Sequence, residues 1–564
     1  MQSQGTGDTT NLFVEQAEYL ESAHFVEWTT AHPNEEVIQS KLIQSGAKLI
    51  TGPRGCGKTT LLKKAYSEML SNPKHRTLPV YVNYKSTLRL EPLYQTNANG
   101  NFWFNQWLII KILLGLHDTL QRLGLDTVSA EEKSALDKVL SEIEFGRVDN
   151  LTTDVSYSIQ ELQRTIDDSL TKNGYKRCVL LLDDAAHAFS PDQQRDFFDF
   201  FRHVKSQSIS PKAAIYPGVT VYSPAFHVGH DAEEIDVWVK PYDPEYLNFM
   251  KTLIGKRLPS NLVQGLEKDS SAYSLICFAA FGIPRALLNI VRAITDETLT
   301  TGTFKLSRAK VLRCIKESVQ GTHANYTSLR LKLPTYSQFV ETGAEVFNTI
   351  IDLIKAYNKD KHVQRQSLTI AIRNPIPLEM AKVLGFFQYS GLLLPRGDLS
   401  RGEKGVFDLY AVHYGVLVDR NALLGKKAVN IDDFANAFSN MNAHDFTRTN
   451  PNSLLSNKSI EDVFPLSLPT CQVCGTARIN ESAKFCLNCG TKLTSVSLFE
   501  SLVSQAIGVL PISATMIGRI TSESRLKTVK DILMDTENKE LRKVKWIGPV
   551  RAARIYSYAE EFLA

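Results

Sequence analysis

Three groups of residues in this chain have the types and spacing to do chemistry. The first is the run Gly52, Pro53, Arg54, Gly55, Cys56, Gly57, Lys58, Thr59 and Thr60, which carries the spacing G-x-x-x-x-G-K-[ST]. Glycines so placed let backbone N–H groups wrap a polyphosphate; a lysine neutralises its terminal phosphates and a threonine hydroxyl ligates magnesium. Residues 52–60 are therefore the expected ATP cradle, with Lys58 on the phosphates and Thr59 on magnesium. The complement is an apolar strand ending in a carboxylate, and the run CVLLLDD from Cys178 to Asp184 supplies it. Asp183 is expected to hold magnesium through water, and Asp184 to orient or deprotonate an attacking water. Enzymes with this layout usually carry glutamate at the second position. Aspartate is one methylene shorter, which points to slow hydrolysis.

The second group is a set of thiols. Of eight cysteines, Cys56, Cys178, Cys277 and Cys314 are scattered, whereas Cys471, Cys474, Cys486 and Cys489 fall within nineteen residues. They form two C-x-x-C pairs, each followed by glycine (Gly475 and Gly490), the spacing of a tetrahedral structural zinc site. So short a segment cannot fold on apolar burial alone, so the metal would supply its folding energy. The uneven spacing argues against a disulfide framework and for a reducing, cytoplasmic setting. The third group is basic. Arg542, Lys543, Lys545, Arg551 and Arg554 surround Gly548 with no acid between residues 542 and 554. That clustering suits contact with a DNA backbone; an acidic protein partner is the other reading.

The elements that must position these groups are legible as apolar runs. Candidate strands lie at 47–52, 80–85, 178–184, 213–223 and 234–239, with amphipathic helices between them, the alternation of an α/β domain. A helix at 192–205 carries Phe197, Phe198, Phe200 and Phe201. The chain becomes helical after residue 240, and a Gly-x-Pro break at 282–284 starts a further helix. Helices at 341–357 and 378–389 precede two strands around a Gly-rich tip that holds Arg396, Arg401 and Lys404 but also Asp398 and Glu403. Between 440 and 470 the composition turns to Asn, Ser and Thr, which reads as a linker.

The P-loop, the LLLDD run and the later GIPR of Gly282–Arg285 together resemble AAA+ ATPases of the origin-recognition, initiator-like clade. STAND signalling ATPases are the next most similar family. The resemblance covers about residues 20–320 and extends to the following unit. It implies an α/β P-loop NTPase core at 1–240, a helical lid at 241–330 and a winged helix at 331–430. A linker (431–468), a zinc ribbon (469–494) and a small all-α domain (495–564) complete the expected order. It also implies that Arg285 reaches the nucleotide from the lid, and that a polar residue near the end of the fourth strand, Thr220 or Ser223, senses it. The family's arginine finger has no counterpart: no arginine occurs between Arg202 and Arg257, where His227, His230 and Lys240 are the basic side chains. Residues 541–563 resemble the second half of a helix-hairpin-helix domain, with Gly548 as the second hairpin glycine and Trp546 in place of the first.

These motifs point to a magnesium-dependent ATPase acting on DNA as a switch or recruiter. The alternative is a STAND-like scaffold that assembles on a protein partner or on itself. Across 564 residues, 64 Lys and Arg against 60 Asp and Glu leave a net charge of +4, so a nucleic-acid surface must be local. The N-terminus lacks the pattern of a secretory signal. The apolar run at 107–116 is half the length of a membrane span and contains Lys111, so no membrane association is expected.

Overall fold

The computed structural model describes residues 22–563, apart from 86, 97–98, 126–128, 152–155, 186–189, 302–305, 363–364, 424–429, 441–445, 479–482, 484 and 494–496. The expectation for the N-terminus falls outside the described residues. Strands β1 (Lys48–Thr51), β2 (Thr77–Asn83), β3 (Arg177–Asp183), β4 (Ile209–Ile215) and β5 (Glu233–Asp236) form one sheet in the order β2-β3-β4-β1-β5. Every neighbouring pair is parallel. Parallel strands are covered on both faces, which explains why their sequences are continuous apolar runs rather than alternating ones. In β3, Leu180 and Leu182 join one apolar cluster while Val179 and Leu181 join the opposite one.

The helices that cover the sheet follow from the same economy. Helix α1 (Lys58–Ser71) leaves the P-loop and buries Leu61, Leu62 and Ala65 on one face. The other face is covered by α2 (Gly100–Arg122), α3 (Ile159–Asn173) and α4 (Pro191–Val204). The 107–116 run lies inside α2, where Trp107, Ile109, Ile110 and Ile112 are core side chains. Helix α3 begins at a capping box in which the Ser158 hydroxyl accepts from the Glu161 amide and Glu161 returns the bond. The four phenylalanines of α4 are all buried, each stabilising the domain by about 2 kcal/mol. Among the described residues no helix is long and apolar enough to cross a membrane.

Beyond the sheet lie helices Tyr246–Arg257, Ser260–Glu267 and Ser270–Ala279, then α5 (Pro284–Thr301), α6 (Arg308–Lys332) and α7 (Ser337–Asn358). A second sheet holds β6 (Thr369–Arg373), β7 (Leu393–Ser400), β8 (Val406–Val412) and β9 (Thr447–Thr449) in the order β7-β8-β6-β9. Helix α8 (Leu378–Ser390) connects β6 to the β7–β8 hairpin. Two of the hairpin's basic residues lie against aromatic rings. Arg396 sits 4.3 Å from the centre of the Tyr242 ring and donates to Thr369 Oγ1, and Arg401 lies over Phe446.

The described residues of the segment expected as a linker carry secondary structure. Helix Ile431–Ser439 buries Phe434 and Phe438, β9 pairs in parallel with β6, and Leu454, Leu455 and Phe464 are buried beyond it. Its polar composition conceals a few spaced apolar anchors, and Phe438 stacks on Tyr414 at 4.4 Å. The C-terminal unit, ending in α9 (Pro549–Leu563), is likewise no appendage. One apolar cluster runs through the lid, the second sheet unit and tail residues such as Leu502, Ile555 and Phe562.

Candidate functional site

The sheet order places the carboxyl ends of β1, β4 and β3 side by side, where ligands bind in open α/β sheets. The P-loop leaves β1 and turns into α1 through Gly57, whose φ of +101° lies in the left-handed region that glycine adopts without strain. Gly55 has a φ of +85°, and a Cβ there would come 2.8 Å from Cβ of Arg285. The loop and the lid arginine therefore approach as closely as a glycine allows. The Arg285 amide also donates to the Gly55 carbonyl at 3.4 Å.

Lys58 is buried, and its ammonium donates to the carbonyls of Gly52 (2.7 Å) and Pro53 (3.2 Å). It lies 3.7 Å from the centre of the Tyr216 ring. Burial pulls its pKa below the ordinary lysine value, against the opposing pull of Cys56, Asp184 and Asp183. Asp183, at the end of β3, is 1% exposed. Its carboxylate accepts from the Tyr81 hydroxyl (2.8 Å) and from the Asp184 amide (3.1 Å). Asp184 follows in the left-handed region at φ +51° and accepts from the Tyr216 hydroxyl at 2.8 Å. Burial, reinforced by Asp184, pushes the Tyr216 pKa far up, so the phenol stays a neutral donor. The Cys56 thiol is also pushed up by burial, which leaves it an unreactive packing group.

The sequence-based candidates for the polar residue near the fourth strand do not reach this site. That strand starts at Ile209 and ends at Ile215, so Thr220 and Ser223 lie beyond it. The Thr220 hydroxyl donates to the Tyr216 carbonyl and accepts from the Tyr216 amide, and neither Thr220 nor Ser223 lines the cavity. Tyr216, the first residue after β4, meets Lys58 and Asp184 instead. A correct strand end would have singled it out. His227, His230 and Lys240 also lie outside the cavity, and Lys240 pairs with Asp236.

The rest of the cavity wall combines elements distant in sequence. Thr59, Thr60 and Lys64 come from α1, Lys85 follows β2, and Arg54 and Arg285 face Glu561 of α9. At one end Trp28, His32, Phe249 and Leu253 provide an aromatic and apolar wall suited to a heterocyclic base. The sequence carried no signal for these. Arg257, also in the wall, donates to the Trp28 carbonyl at 2.8 Å, and burial lowers its pKa to about 10. The residues fit a magnesium–triphosphate group by their chemistry. Lys58, Lys85, Arg54 and Arg285 converge there with Asp184, the residue after β3, while Asp183 sits buried behind it outside the cavity lining. Arg285 Nε is buried without a hydrogen-bond partner among the described residues.

The four clustered cysteines also converge. Their sulfurs lie within 4.8 Å of one another, with Cys471–Cys489 at 3.6 Å and Cys474–Cys486 at 3.5 Å. Four thiolates on tetrahedral zinc stand about 3.8 Å apart. Each pair forms the same turn: the Gly475 amide donates to the Cys471 carbonyl and the Gly490 amide to that of Cys486, both at 2.9 Å. The donor set fits a structural zinc ion.

The basic candidates Arg542, Lys543, Lys545, Arg551 and Arg554 are all exposed, as is Gly548. Trp546 takes φ +74°, in the left-handed region. Its carbonyl accepts from Arg551 at 2.7 Å, and the Lys545 amide donates to Glu523. Lys543 pairs with Glu540.

No protein-family model matches the sequence, and no curated protein matches it. Among solved structures the chain is similar to the Aeropyrum pernix ORC2 protein in its ADPNP-ADP complexes, at 13% identity and a TM-score of 0.31, over 76% of this chain and 98% of that one. It is also similar to the Aeropyrum pernix ORC1 protein in complex with DNA (13% identity, TM-score 0.28, 70% and 92% covered). A point variant of Thermotoga maritima RuvB gives 13% identity and a TM-score of 0.26, over 74% and 100%. The strand order and the loop geometry of the chain itself establish the α/β P-loop NTPase fold.

Proposed function

We propose that this protein is an ATP-binding, slowly hydrolysing switch that acts on DNA, of the initiator-like AAA+ kind its motifs resemble. The observation that carries the reading is the convergence of Lys58, Thr59, Asp184 and Arg285 on one cavity at the ends of β1 and β3 and the start of α5, with the buried Asp183 ending β3 beside Asp184. In that arrangement Lys58 and the loop amides hold the phosphates, while Thr59 and Asp183 hold magnesium, which would neutralise phosphate charge. Asp184, fixed by the Tyr216 hydroxyl, orients water. Arg285 couples the nucleotide to the lid and, through the shared apolar core, to the units that follow. The four-cysteine zinc module is structural. The exposed basic residues of the C-terminal hairpin contact phosphates of DNA without reading sequence.

Titration of labelled duplex and single-stranded DNA at low salt, with and without ATP and magnesium, tests this. Expected is binding whose affinity depends on nucleotide. Absence of binding in every state would remove DNA from the proposal. Absence of ATP binding by calorimetry would remove the switch.

A further inference from the structure

Two arginines from different elements converge on the last turn of α9. Arg54, in the middle of the P-loop, donates from Nη2 to the backbone carbonyl of Glu561 at 3.0 Å. Arg285, in the first turn of α5, places Nη1 3.3 Å from Glu561 Oε1. Beside them Lys85 lies 3.8 Å from Glu560 Oε2, and the ammonium of Lys332, at the end of α6, lies 5.9 Å from the centre of the Phe562 ring. Glu561 lines the same cavity as Lys58, Thr59, Asp184 and Tyr216. A carboxylate from the far end of the chain thus sits among the cations of the phosphate site.

With side chains 25% and 18% exposed, Arg285 and Glu561 form a shielded pair rather than a surface one. Burial works against the Arg54 charge, but Glu561, Tyr389, Tyr216 and Asp184 outweigh it and hold the guanidinium above its ordinary pKa. A guanidinium does not shed its proton, so one half-buried as Arg54 is favours an anion beside it. Arg285 still has a spare donor, because Nε is buried and unbonded among the described residues. A carboxylate offers two oxygens and one charge. A terminal phosphate offers three oxygens and nearly two charges, and matches the guanidinium fork equally well.

We infer that Arg54 and Arg285 form a two-arginine anion site that Glu561 fills when the tail is docked, and that the terminal phosphate of a bound nucleoside triphosphate takes over, detaching α9. This rests on the nucleotide-binding reading above. A diphosphate lacks the competing group and leaves the tail docked. Arg54 thereby supplies, within one chain, the cation that related ATPases receive from a neighbouring subunit. Linkage makes the effect reciprocal: a partner that holds the detached tail raises triphosphate affinity by the same factor.

Hydrogen exchange of residues 549–563 in the full-length protein tests this, alone, with ADP, and with a non-hydrolysable ATP analogue, each with magnesium. Calorimetry on the same samples reports nucleotide binding separately. Expected is a loss of protection in α9 with the triphosphate analogue and none with ADP. If the analogue binds and α9 keeps its protection, the competition is wrong while the nucleotide reading stands. If neither nucleotide binds, the nucleotide reading itself fails, and the competition with it. Glu561→Gln keeps the shape and the backbone carbonyl that Arg54 uses. It is expected to tighten the triphosphate analogue roughly five-fold, within the usual range of intersite coupling, and to leave ADP nearly unchanged. Equal effects on both nucleotides, or none on either, overturn the inference.

Discussion

The Tyr216 hydroxyl donates to Asp184 Oδ1 at 2.8 Å while its ring lies 3.7 Å below the Lys58 ammonium. One side chain at the end of β4 therefore contacts both the lysine of the P-loop and the acid after β3. Tyr216→Phe keeps the ring under Lys58 and releases Asp184. Steady-state phosphate release is expected to fall about ten-fold, less than the roughly hundred-fold or more that loss of an acid–base group itself costs, because Asp184 stays and only its positioning is lost. Nucleotide affinity should change by less than a factor of about two, because the phosphate cations are untouched. An unchanged turnover rate would show that Asp184 needs no such positioning.

Removing the lysine should act on binding instead. Lys58→Ala takes away the buried ammonium held by the Gly52 and Pro53 carbonyls. Loss of a charge-assisted contact is expected to weaken triphosphate binding roughly ten- to a hundred-fold, as read by fluorescent-nucleotide titration. Retained affinity would mean that the backbone cradle alone suffices.

The cysteine cluster predicts a stoichiometry. Native mass spectrometry should find one zinc ion per chain, lost in Cys474→Ser and on chelation. Amides of residues 471–491 are expected to lose protection on metal removal, while ATP binding persists because the ribbon lies outside the nucleotide cavity. A zinc-free wild-type protein with those amides protected would contradict the assignment.

Under the proposed DNA contact, each exposed base between 542 and 554 that meets a phosphate should add to the salt dependence of binding, and its removal should lower it. Lys545→Ala and Arg554→Ala are each expected to reduce the slope of log K against log salt by about 0.9 on duplex DNA. The loss should be the same on unrelated sequences. Substitutions that weaken binding on one sequence alone would indicate base reading instead.

His413 sets an acid limit on stability. It is buried, its Nδ1 accepts from the Val416 amide at 3.3 Å, and Nε2 is buried without a hydrogen-bond partner among the described residues. Burial, with a smaller push from His323, lowers its pKa to about 3. Between its ordinary value near 6.5 and about 3, the unfolded chain binds a proton that the folded one does not. Stability should therefore fall as pH falls through that window, by about 1.4 kcal/mol per pH unit from this residue. His413→Asn retains a helix-capping acceptor and should flatten the dependence of the urea midpoint between pH 7 and 5. An identical slope in wild type and variant would assign the acid sensitivity elsewhere.

The local features of the site were legible because they are contiguous. Glycine spacing, Lys58 and Thr59, and the apolar run ending in Asp183 each report their own strand–loop or loop–helix junction. The cysteine pairs do the same, since two short knuckles must meet for either to fold. Mid-chain composition misled between 440 and 470, where the buried Leu454, Leu455 and Phe464 are diluted by Asn and Ser. Hydrophobic fraction averages over a segment, whereas β9 needs only three residues to extend a sheet.

The amino-acid sequence by itself determined which groups are the candidates for phosphate and metal, because backbone wrapping and thiolate geometry depend on neighbours a few positions apart. Only the tertiary structure decided what meets them. Tyr216 reaches Lys58 and Asp184 because β4 lies between β1 and β3 in the sheet, an order that no local pattern encodes. Glu561 reaches Arg54 from 507 residues away because α9 shares a continuous apolar core with the lid. Burial of that shared surface is non-directional and non-local, so the contact that brings the tail to the phosphate site is written in packing rather than in any motif.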